Sequence, residues 1–296
     1  MTAALEHTDM LRFVALGDSV TVGLGDPAPD GGWRGWAGLL SESLAPPGHV
    51  ELINLARCGA RARDVVTDQL PDALARRPAL ASVVVGVNDT LRGRFDLATI
   101  ASDLDEAITR LRDAGALVLT ASLPDPGIML RIPGLLRHPL ARRIQAINTV
   151  LDHLAARHGT VHVDLTRHPA LYDRHMWGVD RIHPSERGHR LLAHLFAVML
   201  ADHGIHLWDR LDPRPTAPGP SVWAQAHWLA TKGTGWVLRR SLDLLPHLMR
   251  MGISEWWHQV RNRTTRLDAR LRTELDNVLA ALTPEPAAGG NVLKDS

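Results

Sequence analysis

The chain has 296 residues, of which 45% are apolar, and its 33 basic side chains are balanced by 32 acidic ones. These values exclude a disordered polyelectrolyte and an overall charge that would draw the chain onto nucleic acid, and the length allows one large domain or a domain of roughly 200 residues followed by a smaller element. A lone cysteine, Cys58, excludes an internal disulfide and a thiolate-rich metal site.

Residues 1–13 carry no basic segment followed by an apolar one, so no cleaved export signal is expected and the reading is of a cytoplasmic protein. Leu11 to Leu16 is a short apolar run ending at Gly17, the pattern of a buried strand entering a turn. Similar runs recur at Val50 to Ala56, Leu80 to Val85, Leu117 to Ala121 and Val161 to Val163. Between them, Leu97, Ile100, Leu104, Ile108 and Leu111 step by three or four, as do Ile144, Ile147, Leu151 and Leu154, which predicts two amphipathic helices. Short apolar strands alternating with helices imply a parallel sheet covered on both faces, with ligands bound beyond the carboxyl ends of its strands.

A helix from Pro184 or Ser185 through Leu200 closes this first unit. Its run from Leu191 to Ala201, broken by His194, is far short of the ~20 residues that cross a bilayer, so no integral membrane segment is expected. Asp209 to Ser221 is rich in proline and reads as a linker, followed by helices at 222–231, 236–249 and 254–282. Val260, Leu267, Leu271, Leu275, Val278 and Leu282 form one stripe, either a docking face for the main domain or a self-association seam. Trp236 to Arg272 holds eight Arg and no Lys against Asp243, Glu255 and Asp268, so weak association with an acidic membrane surface is a further reading beside solvated arginines on packed helices.

Gly17-Asp18-Ser19 follows the first strand directly, where a turn can present a hydroxyl at the sheet edge, although Asp and Ser also cap turns and helices. A serine needs an oriented base to attack a carbonyl, and His183, three residues after Asp180, can supply one if the carboxylate reaches one ring nitrogen while the other faces Ser19. The same histidine can be a helix-boundary residue that only packs. Gly59 can expose a backbone N–H and Asn88 a side-chain amide to a developing oxyanion, though each alone also reads as an ordinary turn residue. No GxSxG, GxGxxG or GxxxxGK[ST] pattern occurs, and His158 and His162 are separated by Gly159. Neither a cofactor nor a metal is expected.

The blocks LGDSVTVG (Leu16 to Gly23), NLARCG (Asn54 to Gly59), GVND (Gly86 to Asp89) and DRIHP (Asp180 to Pro184) stand in the order of, and resemble, the SGNH hydrolase superfamily of GDSL-type esterases and lipases. Val20 replaces the leucine of the nominal GDSL string. The resemblance implies a three-layer, flavodoxin-like α/β fold with a five-stranded parallel sheet. It also implies Ser19 as nucleophile, a triad with Asp180 and His183, and an oxyanion hole from Ser19 N, Gly59 N and Asn88. It covers residues 1–204; the expected remainder is a linker at 205–221, a helical region at 222–283 and a flexible tail at 284–296.

The expected activity is hydrolysis of a small carboxylic ester of short or medium acyl chain through an acyl-enzyme. Acyl transfer to an alcohol on the same triad is the alternative, and an inactive domain with a membrane- or protein-binding C-terminal region a more remote one. Trp33 and Trp36 after the nucleophile loop, and Ile128, Met129 and Leu130 after the fourth strand, are candidates to line the substrate pocket.

Overall fold

Five short apolar segments form one parallel sheet in the order β2-β1-β3-β4-β5. They are β1 (Leu11–Gly17), β2 (Val50–Asn54), β3 (Leu80–Val84), β4 (Leu117–Ala121) and β5 (Val161–Val163). The computed structural model describes residues 10–28, 31–91, 95–125, 127, 134–166, 168–178, 180, 182–215, 249–250, 252–253, 255, 257, 261 and 264–283.

Strand β1 shows how the sheet builds two cores. Its side chains alternate, so Phe13 and Ala15 join one buried cluster while Val14 and Leu16 join another on the opposite face. On the first face lie α2 (Gly35–Leu44) and α8 (Glu186–Asp202), which bring Trp36, Leu40, Leu192 and Phe196. The other face is covered by α6 (Leu97–Asp113) and α7 (Gly134–His158), with the shorter helical stretch formed by α3 (Ala62–Asp64), a π turn (Val65–Gln69) and α4 (Leu70–Ala75).

The helices start and stop for local reasons. Asp96 caps α6 by accepting from Thr99 N, Arg110 and Arg112 oppose the dipole in its last turn, and all five residues of its expected stripe are buried. Ser185 caps α8 through Gly188 N. Helix α7 begins at Gly134, well before the stripe that announced it, and carries Pro139 inside it.

The chain leaves β1 for β2 on one side and then returns to β3 on the other, so the sheet has its switch point between β1 and β3. Two short helices start there: α1 (Ser19–Val22) after β1 and α5 (Val87–Leu91) after β3.

Residues 205–215 contain no helix or strand but are tied back, with Trp208 N and Asp209 N donating to Ser43 O and Arg190 Nη1 donating to Asp212 O. The helices expected at 222–231 and over most of 236–249, and the tail at 284–296, lie outside the described residues. Helix α9 (Thr264–Leu282) lies against α6 and α7, with Val278 and Leu282 buried and Leu271, Leu275 and Leu279 partly so. Its Glu274 accepts from Leu97 N at 3.3 Å, and Arg142 of α7 pairs with both Glu255 and Asp268. From Leu271 to Leu282 the apolar stripe therefore serves as a docking face within the chain, while Val260, its expected start, lies outside the described residues. Among the described residues no helix is long and apolar enough to cross a membrane.

Candidate active site

Ser19 is the first residue of α1, directly after the turn that ends β1. That turn is possible because Gly17 has φ +151°, and a Cβ there would lie 2.3 Å from Val84 O and 2.7 Å from Thr21 Oγ1. Asp18 caps α1, its Oδ1 accepting from Val20 N at 3.0 Å, and this places the next side chain at the sheet's carboxyl edge.

His183 reaches the same point from the other end of the chain. Its Nε2 is 2.9 Å from Ser19 Oγ, and its Nδ1 is 2.6 Å from Asp180 Oδ2. The other oxygen of Asp180 accepts from Ile182 N at 3.0 Å and His183 N at 3.1 Å, which locks the carboxylate against the loop that carries the imidazole. Burial acts on Asp180 most strongly and opposes its ionisation. The hydrogen bond and electrostatic attraction of the His183 side chain, with the two backbone donors, outweigh burial and hold the carboxyl below its usual range. An ionised Asp180 can only accept, so the imidazole proton belongs on Nδ1 and Nε2 is left to accept from the Ser19 hydroxyl. Such a chain of contacts can take a proton from the hydroxyl and stabilise the resulting imidazolium.

Two features hold the histidine loop in place. Trp177 bridges Pro184, and Gly178 N donates to His183 O at 2.8 Å. Six residues on, His189 is buried in α8, where Nδ1 accepts from Trp36 N at 3.2 Å and Nε2 donates to Leu24 O at 3.0 Å. Burial pushes its pKa down to about 4, so it stays neutral and joins α8 to both the loop after α1 and the start of α2.

The second half of the site lies beyond β2 and β3. Asn88, 4% exposed on α5, has Nδ2 at 3.0 Å from Ala60 O and 3.3 Å from Asp18 Oδ2. Gly59, with φ +82°, precedes Ala60 in the loop that enters α3, and the thiol of Cys58 beside it is exposed. Asp89 accepts from Ala62 N through Oδ1 at 3.3 Å and Oδ2 at 3.2 Å. Burial is the main reason its pKa is raised to about 7. Asn88 and Asp89 thus pin the Gly59 loop from one helix, and Asn88 also touches the residue that caps Ser19.

Ser19, His183 and Asp180 therefore meet, and Asn88 and Gly59 converge on the same edge. Trp33 stands 47% exposed at the end of a short turn bridged by Pro27 and Trp33. Trp36 corrects the expectation of a pocket wall: it is 0% exposed, with its ring packed against Phe13 and Phe196 in the core. An aromatic run after a catalytic-looking turn fills the core as readily as it shapes a pocket. Ile128, Met129 and Leu130 lie outside the described residues. Capping stood in the sequence only as the plain alternative to a catalytic turn, and Asp18 does cap α1 while also meeting Asn88. Sequence reasoning missed His189 and Asp89, whose burial arises only from tertiary packing.

The family model described as GDSL-like Lipase/Acylhydrolase matches residues 15–191, more than half of the chain and all the residues just described as converging. The chain belongs to the GDSL-like lipase/acylhydrolase family. It is a GDSL-type carboxylic ester hydrolase. Among curated relatives, an acetylxylan esterase from Geobacillus stearothermophilus is 27% identical over 209 residues, covering 62% of this chain and 91% of its own length. A GDSL-like esterase, Rv1075c, from Mycobacterium tuberculosis (strain ATCC 25618 / H37Rv) is 31% identical over 161 residues, covering 51% of this chain and 49% of its own length. The solved structure of LAE5, an alpha/beta hydrolase enzyme from the metagenome of Lake Arreo, Spain, superposes with a TM-score of 0.53 at 20% identity, covering 66% of this chain and 97% of that one, and shares the fold. The GDSL-like match ends before α9, so that helix is an addition to the part that defines the family.

Proposed function

We propose that this GDSL-type hydrolase cleaves a small ester of short acyl chain through an acyl-enzyme on Ser19. The observation that carries the reading is the pair of contacts at 2.6 and 2.9 Å that joins Asp180, His183 and Ser19. His183 takes the hydroxyl proton as Ser19 Oγ attacks the acyl carbonyl, Asp180 holds the imidazole in the required tautomer, and His183 then protonates the departing alcohol. Water, deprotonated by the same ring, attacks the acyl-enzyme, and as the acyl–oxygen bond breaks His183 returns that proton to Ser19 Oγ and the acid is released.

The charge that develops on the carbonyl oxygen falls to Ser19 N, Gly59 N and Asn88 Nδ2. Asn88 is already oriented by Ala60 O, and its longer 3.3 Å contact with Asp18 is the one exchanged for the oxyanion. Trp33 offers an exposed ring beside the loop that follows Ser19 as one wall for the substrate. A short acyl group is supported by the relation to an acetylxylan esterase over 91% of that protein's length.

The test is a series of aryl and alkyl esters from acetyl upward, run with the parent chain and Ser19→Ala, with products separated in the presence and absence of an added alcohol. Turnover of acetyl esters that disappears in Ser19→Ala supports the reading. Unchanged turnover in the variant overturns it, and acyl transfer to the alcohol in preference to water makes the protein a transferase.

A further inference from the structure

Gln69 has no part in the chemistry above, yet it is 1% exposed at the end of the stretch Val65-Val66-Thr67-Asp68-Gln69. An amide buried this deeply is destabilising unless both of its ends are hydrogen-bonded. Both ends are bonded to one residue: Oε1 accepts from Gly17 N at 2.9 Å, and Nε2 donates to Gly17 O at 2.9 Å. Assigned pairing of β1 with β2 stops at Ala15 and Asn54, and at Gly17 N the side-chain oxygen stands where a longer β2 would have given a backbone acceptor.

The helix is built to deliver it. Val65–Gln69 is a π turn, and along this widened stretch the adjacent pairs Val65/Val66 and Gln69/Leu70 are all buried. Wide turns of this kind are uncommon and occur often at functional sites.

Gly17 O accepts a further bond, from Arg57 N at 3.2 Å. One carbonyl therefore joins the turn that leads to Ser19 with the loop that leads to Gly59. A Cβ on Gly17 would lie 2.3 Å from Val84 O, so the backbone here passes too close to β3 for any larger residue.

We propose that Gln69 is a positioning residue for acyl transfer, its amide clamping the Gly17 peptide and thereby fixing the Ser19 turn relative to the Gly59 loop. The inference rests on the reading of Ser19 as nucleophile. Gln69 touches no reacting atom; it acts through the backbone that carries two of them.

Two substitutions in the full-length chain test it. Gln69→Leu removes both bonds, whereas Gln69→Glu keeps an acceptor for Gly17 N but, when ionised, has no proton for Gly17 O. For both, kcat on an acetyl ester is expected to fall roughly 10- to 100-fold, the scale of a small misplacement of reacting groups. KM should stay within about twofold, the signature of a loss felt in the transition state. Labelling of Ser19 by a fluorophosphonate should slow by the same factor as kcat. The carboxyl introduced by Gln69→Glu can both accept and donate once protonated, so the ratio of the Gln69→Glu kcat to the parental one should rise as pH is lowered from about 8 to about 6.

Folded variants with parental kcat and labelling rate overturn the proposal, as does a kcat ratio that is flat with pH. Where a variant does not fold, hydrogen exchange of the Gly17 amide in the parent chain decides: protection comparable to that of Val14 supports the clamp, and exchange at the rate of an open loop overturns it. If the parent hydrolyses no ester and Ser19 is not labelled, the esterase reading fails and the positioning role with it. A protected Gly17 amide would then mark a purely structural clamp.

Discussion

Gly25 is packed against the carbonyl of Pro184 so closely that a Cβ on it would lie 2.0 Å from that oxygen. Gly25 belongs to the loop leaving α1, and Pro184 follows His183, so the contact sets how near the serine and histidine loops can come. Gly25→Ala should push them apart and lengthen the 2.9 Å contact between Ser19 and His183. A kcat reduced on the order of 100-fold is expected from a shift of about 1 Å, with a stability loss of roughly 1–3 kcal/mol because φ is +105° at this position. Ester kinetics and a thermal unfolding curve on the same preparation measure both effects; parental kcat in a folded variant would show that the loops adjust independently.

Asn88 should matter most when charge develops. Asn88→Ala is expected to lower kcat by about 10²- to 10³-fold with little change in KM, as for the loss of one oxyanion donor. Asn88→Asp should be worse, since a carboxylate facing Asp18 offers no proton and repels the oxyanion. The bond to Ala60 O is lost in Asn88→Ala, so a modest fall in Tm accompanies it. Equal losses in kcat and in folded fraction would reassign Asn88 to structure alone.

Two buried groups pull the pH–stability curve in opposite directions. His189 titrates near 4 when folded against 6.5 for its ordinary value, so the unfolded chain binds the extra proton and this contribution, complete above about 6.5, is lost as pH falls toward 4. Asp89 titrates near 7 against 3.8, so the folded chain holds the extra proton, and its contribution declines as pH rises from about 4 through 7. Denaturant unfolding across pH should therefore show His189→Gln flattening the acid limb. Asp89→Asn, which keeps an acceptor for Ala62 N, should be more stable than the parent at about pH 8. A parental slope in either variant would remove that group from the balance.

Val278 is buried where α9 meets the helices on the sheet's second face. Val278→Asp places a carboxylate in that contact without a partner of its own and should lower Tm clearly. Turnover per folded molecule should stay parental, because α9 lies beyond the residues that match the family. Reduced kcat in fully folded protein would instead give α9 a part in the reaction.

Much of this architecture was legible in the chain because it is written in local patterns. All five strands announce themselves as apolar runs, and Leu97 to Leu111 declares α6 by spacing alone. The residues Ser19, Gly59, Asn88 and His183 stand at strand ends or before a helix, but each alone reads as a turn or boundary residue, and it is the resemblance of the four blocks, in order, to GDSL-type hydrolases that implies their roles. Residues acting across the fold were not legible in either way. Gln69, between Asp68 and Leu70, carries no local sign of its bonds to Gly17, which the π turn at Val65–Gln69 delivers only in the folded chain. Asn148 makes the same two-bond clamp on Leu123 after β4, again with no local sign. Trp36 was misread for the converse reason: its neighbours in sequence are near the site, but its neighbours in space are Phe13 and Phe196.

The exposed thiol of Cys58 gives the protein a natural attachment point. It is the chain's lone cysteine and immediately precedes Gly59, so a maleimide dye or a nitroxide spin label will couple at one position, on the loop assigned to oxyanion binding. Fluorescence or electron paramagnetic resonance from that position can follow the loop while substrate binds and product leaves, in the parental sequence and without removing any other thiol.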